Sequence, residues 1–147
     1  MLLASIRALP TVRREGRGGD HLERHAYPPG LGAVLLRLAH NRHLTPSGTA
    51  KALYAVTAGH VYLAASTIAG VGHGGVRVTP ELLAAFADLL GIPAADLAAL
   101  GGLPLPDGSH PAHPRDADLA ALIWAARRLT TAQLGEVEAT ARRLAGR

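Results

Sequence analysis

The sequence predicts an all-α protein, and three observations support this fold class. Only 3% of the 147 residues are aromatic, so leucine and alanine, which favour helices, must supply most of the core. Several segments repeat apolar residues at positions i, i+3, i+4 and i+7, the spacing of one helix face. Two Thr-Pro pairs, at 45–46 and 79–80, combine an N-cap with a proline in the first turn, which marks a helix start.

Five helices are predicted between residues 30 and 102. The first, up to about Asn41, carries a stripe of Leu31, Val34, Leu35 and Leu38. The second begins at Thr45 and ends near Gly59, with one face formed by Ala50, Leu53, Tyr54 and Thr57. The segment 61–71, VYLAASTIAGV, is compatible with either a strand or a short buried helix. A fourth helix begins at Thr79, carries the strongest apolar stripe and stops at Gly91, and IPAADLAAL begins a fifth.

Two further regions flank this domain. Residues 1–29 are expected to form a basic flexible arm, with a short helix compatible with 2–9. Residues 103–115 are a linker rich in proline and glycine. Residues 116–147 are predicted to be a helical hairpin, in which Asp116 caps the first helix and Thr130 and Gln133 form a capping box for the second.

Composition argues against several functional classes. The absence of cysteine excludes disulfides and thiolate metal sites. The eight histidines have no third ligand at zinc-site spacing, so no metal is expected. No nucleophile elbow is present, and neither catalysis nor a cofactor is expected. No apolar run approaches the ~20 residues of a membrane span and the start does not read as a signal peptide, so we expect no membrane partner and a cytoplasmic location.

The glycines at 70, 72 and 75 match the G-x-G-x-x-G dinucleotide fingerprint, and Asp96 follows 21 residues after Gly75. That fingerprint needs a strand before it and a helix that begins within it. Here the next predicted helix begins only at Thr79, and no alternation of strands and helices supplies a parallel sheet. We therefore predict that these glycines do not bind a nucleotide.

A second context accounts better for this stretch. Residues 64–68 read AASTI, a glycine-rich loop follows, and then TPELLAAFADLLGIPAADL spans 79–97. Over about 30–100 this resembles the Cro/CI-type (XRE) helix-turn-helix family, with His43 to Leu53 similar to its second helix. The turn before AASTI is several residues longer than in that family. The YPPG lead-in, the lengthened second helix and turn, and the C-terminal helix pair also resemble EspR-like actinobacterial regulators.

The resemblance implies sequence-specific binding of double-stranded DNA by a transcriptional regulator. The recognition helix would present Ala65, Ser66 and Thr67 to base edges, with Ile68 in the core. The alternative role for Ser66 is that of a helix cap. Phosphate contacts are expected from Arg42, Lys51 and Arg77. Residues 1–44 carry seven Arg against three acidic residues and residues 45–77 carry no acid, which suits a polyanion.

A homodimer is expected, because one short helix makes too few contacts with DNA. Its interface is predicted on the C-terminal helices, at Leu122, Trp124, Leu134, Val137 and Leu144. The alternative is a degenerate helix-turn-helix domain used for protein–protein interaction, as an antitoxin or an adaptor. Only one arginine, Arg77, occurs between Lys51 and Arg115, and this scarcity of cations favours the alternative.

Overall fold

The structure, a computed structural model, describes residues 1–12, 27–105 and 114–146. Within these ranges the regular structure is entirely helical, which confirms the all-α class. The helices are α1 (Leu2–Ala8), α2 (Leu31–His40), α3 (Pro46–Val56), α4 (Ala65–Gly72), α5 (Pro80–Leu90), α6 (Ala94–Gly101), α7 (Pro114–Ala126) and α8 (Thr131–Ala145). None of these described helices is long and apolar enough to cross a membrane.

Helices α2 to α6 surround the larger of two hydrophobic clusters. α4 packs against both α2 and α3, and α5 packs against α2, α3 and α6. The fully buried side chains at its centre include Leu35, Leu53, Ile68, Leu83 and Phe86. The segment 61–71, ambiguous in sequence, is thus helical from Ala65, because Ile68 and Val71 can both face this core from one side of a helix.

The helix boundaries follow local signals read from the sequence. Thr45 and Thr79 cap α3 and α5, and their hydroxyls accept hydrogen bonds from Gly48 N at 3.1 Å and Leu82 N at 3.2 Å. Gly91 ends α5 with φ at 65°, a left-handed conformation that glycine adopts without strain. These caps were predicted correctly because they depend on contacts within four residues.

Helix α7 packs against α5 and completes the larger cluster with Ile123. It begins at Pro114, two residues before Asp116, so Asp116 lies in its first turn and the predicted cap at Asp116 is wrong. Residues 114 and 115, assigned to the linker, belong to this helix, and 106–113 lie outside the described residues.

A second, smaller cluster joins the two ends of the chain. Ile6 of α1 and Leu129, between α7 and α8, are completely buried in it, together with part-buried residues of both C-terminal helices. Arg128 fixes α1 by donating to the carbonyls of Ile6 at 2.7 Å and Arg7 at 2.8 Å and to the Thr11 hydroxyl at 3.0 Å. Gln133 donates to Pro10 O at 2.9 Å.

This arrangement refines two expectations. The capping box of Thr130 and Gln133 is present, but α7 packs against α5 and α1, and α8 packs against α1, rather than the two pairing along each other as a hairpin. The segment expected as an arm, 1–29, begins with a helix whose Ile6 is buried, while 13–26 lie outside the described residues. No local pattern of residues indicates this packing, because α1 and α8 are more than a hundred residues apart.

Candidate nucleic-acid interface

Helices α3 and α4 form the unit for which the sequence predicts contact with DNA. α3 buries Thr49, Leu53 and Val56 and leaves Ser47 and Lys51 exposed. α4 buries Ile68 and Val71 and leaves Ala65 and Ser66 exposed, with Thr67 partly covered. The packing of the two helices therefore leaves the first turn of α4 open to solvent, with a lysine exposed on the helix beside it.

The N-terminus of α4 has no side-chain cap. Ala64 is its N-cap residue and makes no side-chain hydrogen bond, so Ser66 is not the cap. The Ser66 hydroxyl is exposed in the first turn, where it can serve as donor or acceptor to a ligand. Ile68 is completely buried, as expected from the sequence.

The connection between α3 and α4, residues 57–64, is held by one buried threonine. The Thr57 hydroxyl donates to Leu53 O at 2.7 Å and accepts from Val61 N at 2.9 Å. His60 donates from Nδ1 to Thr57 O at 2.7 Å. Ala58 and Gly59 have positive φ of 49° and 86°, which reverses the chain. The eight-residue turn is therefore a specific structure, and Thr57 is a residue that sequence reasoning placed only on a helix face.

Two exposed tyrosines lie on this surface. Tyr54 is 50% exposed and Tyr62 is 83% exposed, and their rings meet edge to face with centroids 5.8 Å apart. Tyr54, which the spacing places on one helix face with Leu53, is outside the core, because Leu53 and Val56 occupy it. Tyr62 was not singled out. The signal in the sequence that could have identified Tyr62 was its position in a turn, where large aromatics are seldom needed for packing.

The glycines of the fingerprint are used for close packing. An added Cβ on Gly72 would lie 2.5 Å from Cε1 of Tyr27, and one on Gly70 would lie 2.8 Å from Cγ2 of Val76. On α2, an added Cβ at Gly32 would overlap the carbonyl oxygen of Val71. Gly70 and Gly72 belong to the C-terminal half of α4, whereas a phosphate cradle requires a helix N-terminus.

Of the three expected phosphate contacts, Lys51 and Arg77 are exposed. Arg77 follows Val76, whose N–H donates to Gly70 O at 3.1 Å, so it lies towards the C-terminal end of α4. Arg42 has a different place. It is only 6% exposed and donates to Leu38 O at 2.8 Å and Leu90 O at 3.2 Å, which ties α2 to α5.

The expectation that Arg42 contacts phosphate therefore does not fit the structure. Burial, with repulsion from Arg127 as the smaller cause, lowers the pKa of Arg42 below its ordinary value. The arginine is part of the junction between α2, α5 and α7. A sequence cannot show this, because an arginine after a helix is usually exposed.

The predicted dimer residues fall into two groups. Leu122, Leu134 and Val137 are partly buried against α1 in the smaller cluster, so little of their surface is left to contact a partner subunit. Trp124 is 49% exposed and Leu144 is 38% exposed. Two guanidinium groups lie over the Trp124 ring. The Cζ atom of Arg127 is 3.6 Å from the ring centroid, and that of Arg42 is 4.9 Å from it.

Among the residues that the structure describes, no group of three or more His, Asp or Glu side chains could hold a metal ion. No family model, curated protein or solved structure matches the chain. The fold defines an all-α protein in which α2 to α6 surround the larger core.

Proposed function

We propose that this protein is a sequence-specific DNA-binding protein that regulates transcription as a homodimer, and that α3 and α4 contact the DNA. The observation that carries the proposal is the exposed first turn of α4, with Ala65 and Ser66, packed beside a helix that exposes Lys51. A helix presented in this way can enter a major groove while its neighbour contacts the backbone. The sequence pI of about 10.3 suits a polyanionic ligand.

In this proposal α2 to α6 form an XRE-like helix-turn-helix domain with an enlarged turn. The order of the five helices along the chain supports this proposal. The departure is the turn of residues 57–64, where a helix-turn-helix motif usually has about three to four residues. The enlarged turn, held by Thr57, adds Tyr62 to the surface next to α4.

The mechanism assigns separate roles to the exposed side chains. The Ser66 hydroxyl and the Thr67 methyl group would read base edges, and Ala65 would allow close approach to the groove. Lys51 and Arg77 would neutralise phosphates and fix the orientation of the helix. Arg42 has no role at the DNA, because its guanidinium group is held by carbonyls inside the protein.

Dimerisation would double these contacts and set the distance between two half-sites. α1 covers the first part of the apolar stripe on α8 and leaves its end uncovered at Leu144. We therefore place the dimer contact at the C-terminal half of α8 rather than on Leu122, Leu134 and Val137.

The test is selection of duplexes from a random library, followed by fluorescence anisotropy at several salt concentrations. Affinity for the selected duplex should fall steeply with salt through counterion release. Lys51→Gln should weaken binding to all duplexes alike and reduce the slope of log K against log salt by about 1. Ser66→Ala should relax base preference at one position, at a cost of about 1–3 kcal/mol.

Arg7→Gln is the matched control, because Arg7 is exposed on α1, outside the proposed DNA-binding helices and the proposed dimer contact, and its removal changes the net charge by the same amount as that of Lys51. It should leave affinity and salt slope almost unchanged. Absence of binding at low salt, or equal effects of the lysine and arginine variants, would contradict the proposed function.

One observation favours a second candidate, a protein-binding surface. Between residues 43 and 76 Lys51 is the single lysine or arginine, while the exposed Tyr54 and Tyr62 form an aromatic pair. Tyrosine is enriched at protein interfaces, and strong DNA binding normally uses several cations. If no duplex is selected, but a protein partner is retained by the native chain and lost by Tyr62→Ala, this second function replaces the first.

A further inference from the structure

A groove of about 1040 Å³ lies between the C-terminal ends of α2 and α5 and one side of α7. Its walls include small apolar side chains, Ala87 on α5 and Ala120 and Ala121 on α7. Trp124, Arg127 and Arg42 lie at one end of it. The volume is just above the usual range for small-molecule sites. The mixture of an apolar wall with a few polar groups is typical of such sites.

The two arginines of the groove, Arg42 and Arg127, lie over the same tryptophan ring. No carboxylate in the described part of the chain forms an ion pair with Arg42 or Arg127. Both guanidinium groups lie over the Trp124 ring, which compensates only part of the cost of holding two cations together. Buried charges are ordinarily paired, so the arrangement favours an anion.

A second observation points to a missing acceptor. Arg42 is more than nine-tenths buried and its Nη atoms donate to Leu38 O and Leu90 O, but its Nε has no hydrogen-bond partner. An unsatisfied buried donor costs free energy, and a ligand that supplies an acceptor recovers it. Arg127 uses Nη1 to donate to Trp124 O at 2.7 Å, and within the described ranges no hydrogen bond occupies its other nitrogens.

We propose that this groove binds a small aromatic carboxylate. The carboxylate would accept hydrogen bonds from Arg127 and from Nε of Arg42, and the ring would lie along the alanine wall. Nε of Arg42 is covered in this structure, and the half-exposed Trp124 ring lies against the same guanidinium group, so this ring would move aside as the ligand enters. This site is independent of the function proposed for α3 and α4, since it uses none of the residues assigned to the DNA.

The groove also connects to the proposed DNA-binding half. His43, in the turn between α2 and α3, donates from Nε2 to the carbonyl of Arg127 at 3.2 Å. α7 in turn contacts α3. A ligand that shifts Trp124 and Arg127 would therefore move residues that lie next to the contact between α7 and the start of α3.

Asp88 and Asp116 also line the groove, which makes a cationic ligand the competing class. Benzoate, benzamide and benzylamine have similar shapes and carry negative, zero and positive charge, so they distinguish these classes. Trp124 is the only tryptophan of the chain, so its fluorescence reports on the groove alone.

The experiment titrates the full-length protein with each compound at constant ionic strength and follows tryptophan fluorescence and the melting temperature. Benzoate should change the fluorescence saturably and raise the melting temperature, while benzamide and benzylamine should bind at least about tenfold more weakly, the effect of losing a charge-assisted hydrogen bond.

Arg127→Gln should weaken benzoate binding by about tenfold or more, and Arg143→Gln, which removes an exposed arginine elsewhere, should not. Circular dichroism of both variants checks that they fold. The proposal is overturned if benzoate and its ring-substituted analogues give no saturable response, if benzamide or benzylamine binds as tightly, or if Arg127→Gln binds like the native protein.

Discussion

The ring of Tyr27 lies against the backbone of Gly72, so closely that an added Cβ would be 2.5 Å from Cε1 and 2.7 Å from Cδ1. Tyr27 is 6% exposed and precedes α2, whereas Gly72 is the last residue of α4. The contact therefore fixes the lead-in to α2 against the end of the helix that we propose reads DNA.

Gly72→Ala should destabilise the protein, although alanine is the better helix former by about 1 kcal/mol. Forcing a methyl group into the ring of Tyr27 costs about 1–3 kcal/mol, since a packed aromatic cannot move aside freely. Urea denaturation measures the difference. The control is Gly135→Ala on α8, where an added Cβ meets nothing within 4 Å and the free energy of unfolding should rise by up to about 1 kcal/mol.

If the clash with Tyr27 causes the loss of stability, Gly72→Ala should lower the free energy of unfolding less in a Tyr27→Ala background than in the native protein. A Gly72→Ala variant as stable as Gly135→Ala would show that this contact does not constrain the helix.

Thr57→Val should destabilise the turn between α3 and α4 without changing the volume of the side chain. It removes the bond to Leu53 O and leaves Val61 N without the hydroxyl that accepts from it. The expected loss is about 1–3 kcal/mol, the cost of an unsatisfied buried group. Amide exchange should quicken in residues 57–64 before it does so in α5.

Thr140→Val is the comparison for this change. The Thr140 hydroxyl makes a bond of similar length, 2.9 Å to Glu136 O, but on an exposed part of α8. Its loss should alter stability by no more than about 0.5 kcal/mol. Equal effects of the two valine substitutions would mean that Thr57 does not hold the turn.

Arg128→Gln should release α1 from the rest of the molecule. The guanidinium group of Arg128 donates to three acceptors in 6–11, and glutamine cannot reach them all. Hydrogen exchange by mass spectrometry should show lost protection in Leu2–Ala8 and little change in α2 to α6, since these helices have their own core.

Arg143→Gln changes the charge equally and should leave α1 protected, because Arg143 bonds only to Thr140 in its own helix. Retained protection of α1 in Arg128→Gln would contradict the role assigned to that arginine.

Leu144→Glu should dissociate the proposed dimer. Leu144 is the exposed end of the α8 stripe, and a carboxylate buried in an apolar contact would weaken association by at least about tenfold. Sedimentation velocity of the full chain over a range of concentrations measures this. DNA affinity should fall in parallel, since each half-site would then be bound alone.

Ala139→Glu adds the same charge to an exposed position of α8 away from the stripe and should leave the dimer intact. A native chain that is monomeric, or a Leu144→Glu variant that remains dimeric, would show that α8 does not mediate association.

The sequence by itself determined the fold class, the order of the helices and most of their ends. Thr45, Thr79, Thr130 and Gly91 act as caps in the structure as they were read, because capping involves groups within one helical turn. The burial of Ile68 was also predictable, since its helix has few other apolar side chains to face the core.

Tertiary structure alone decided the features that depend on distant contacts. It buried Arg42 against the carbonyl of Leu90, brought the same arginine over the ring of Trp124, and packed Ile6 against Leu129. It also left Tyr54 exposed. The contact partners of Arg42, Trp124 and Ile6 lie far along the chain. The exposure of Tyr54 depends on which neighbouring helix packs against α3. Local spacing carries no information about such contacts, because periodicity describes a single helix and not the surface against which it packs.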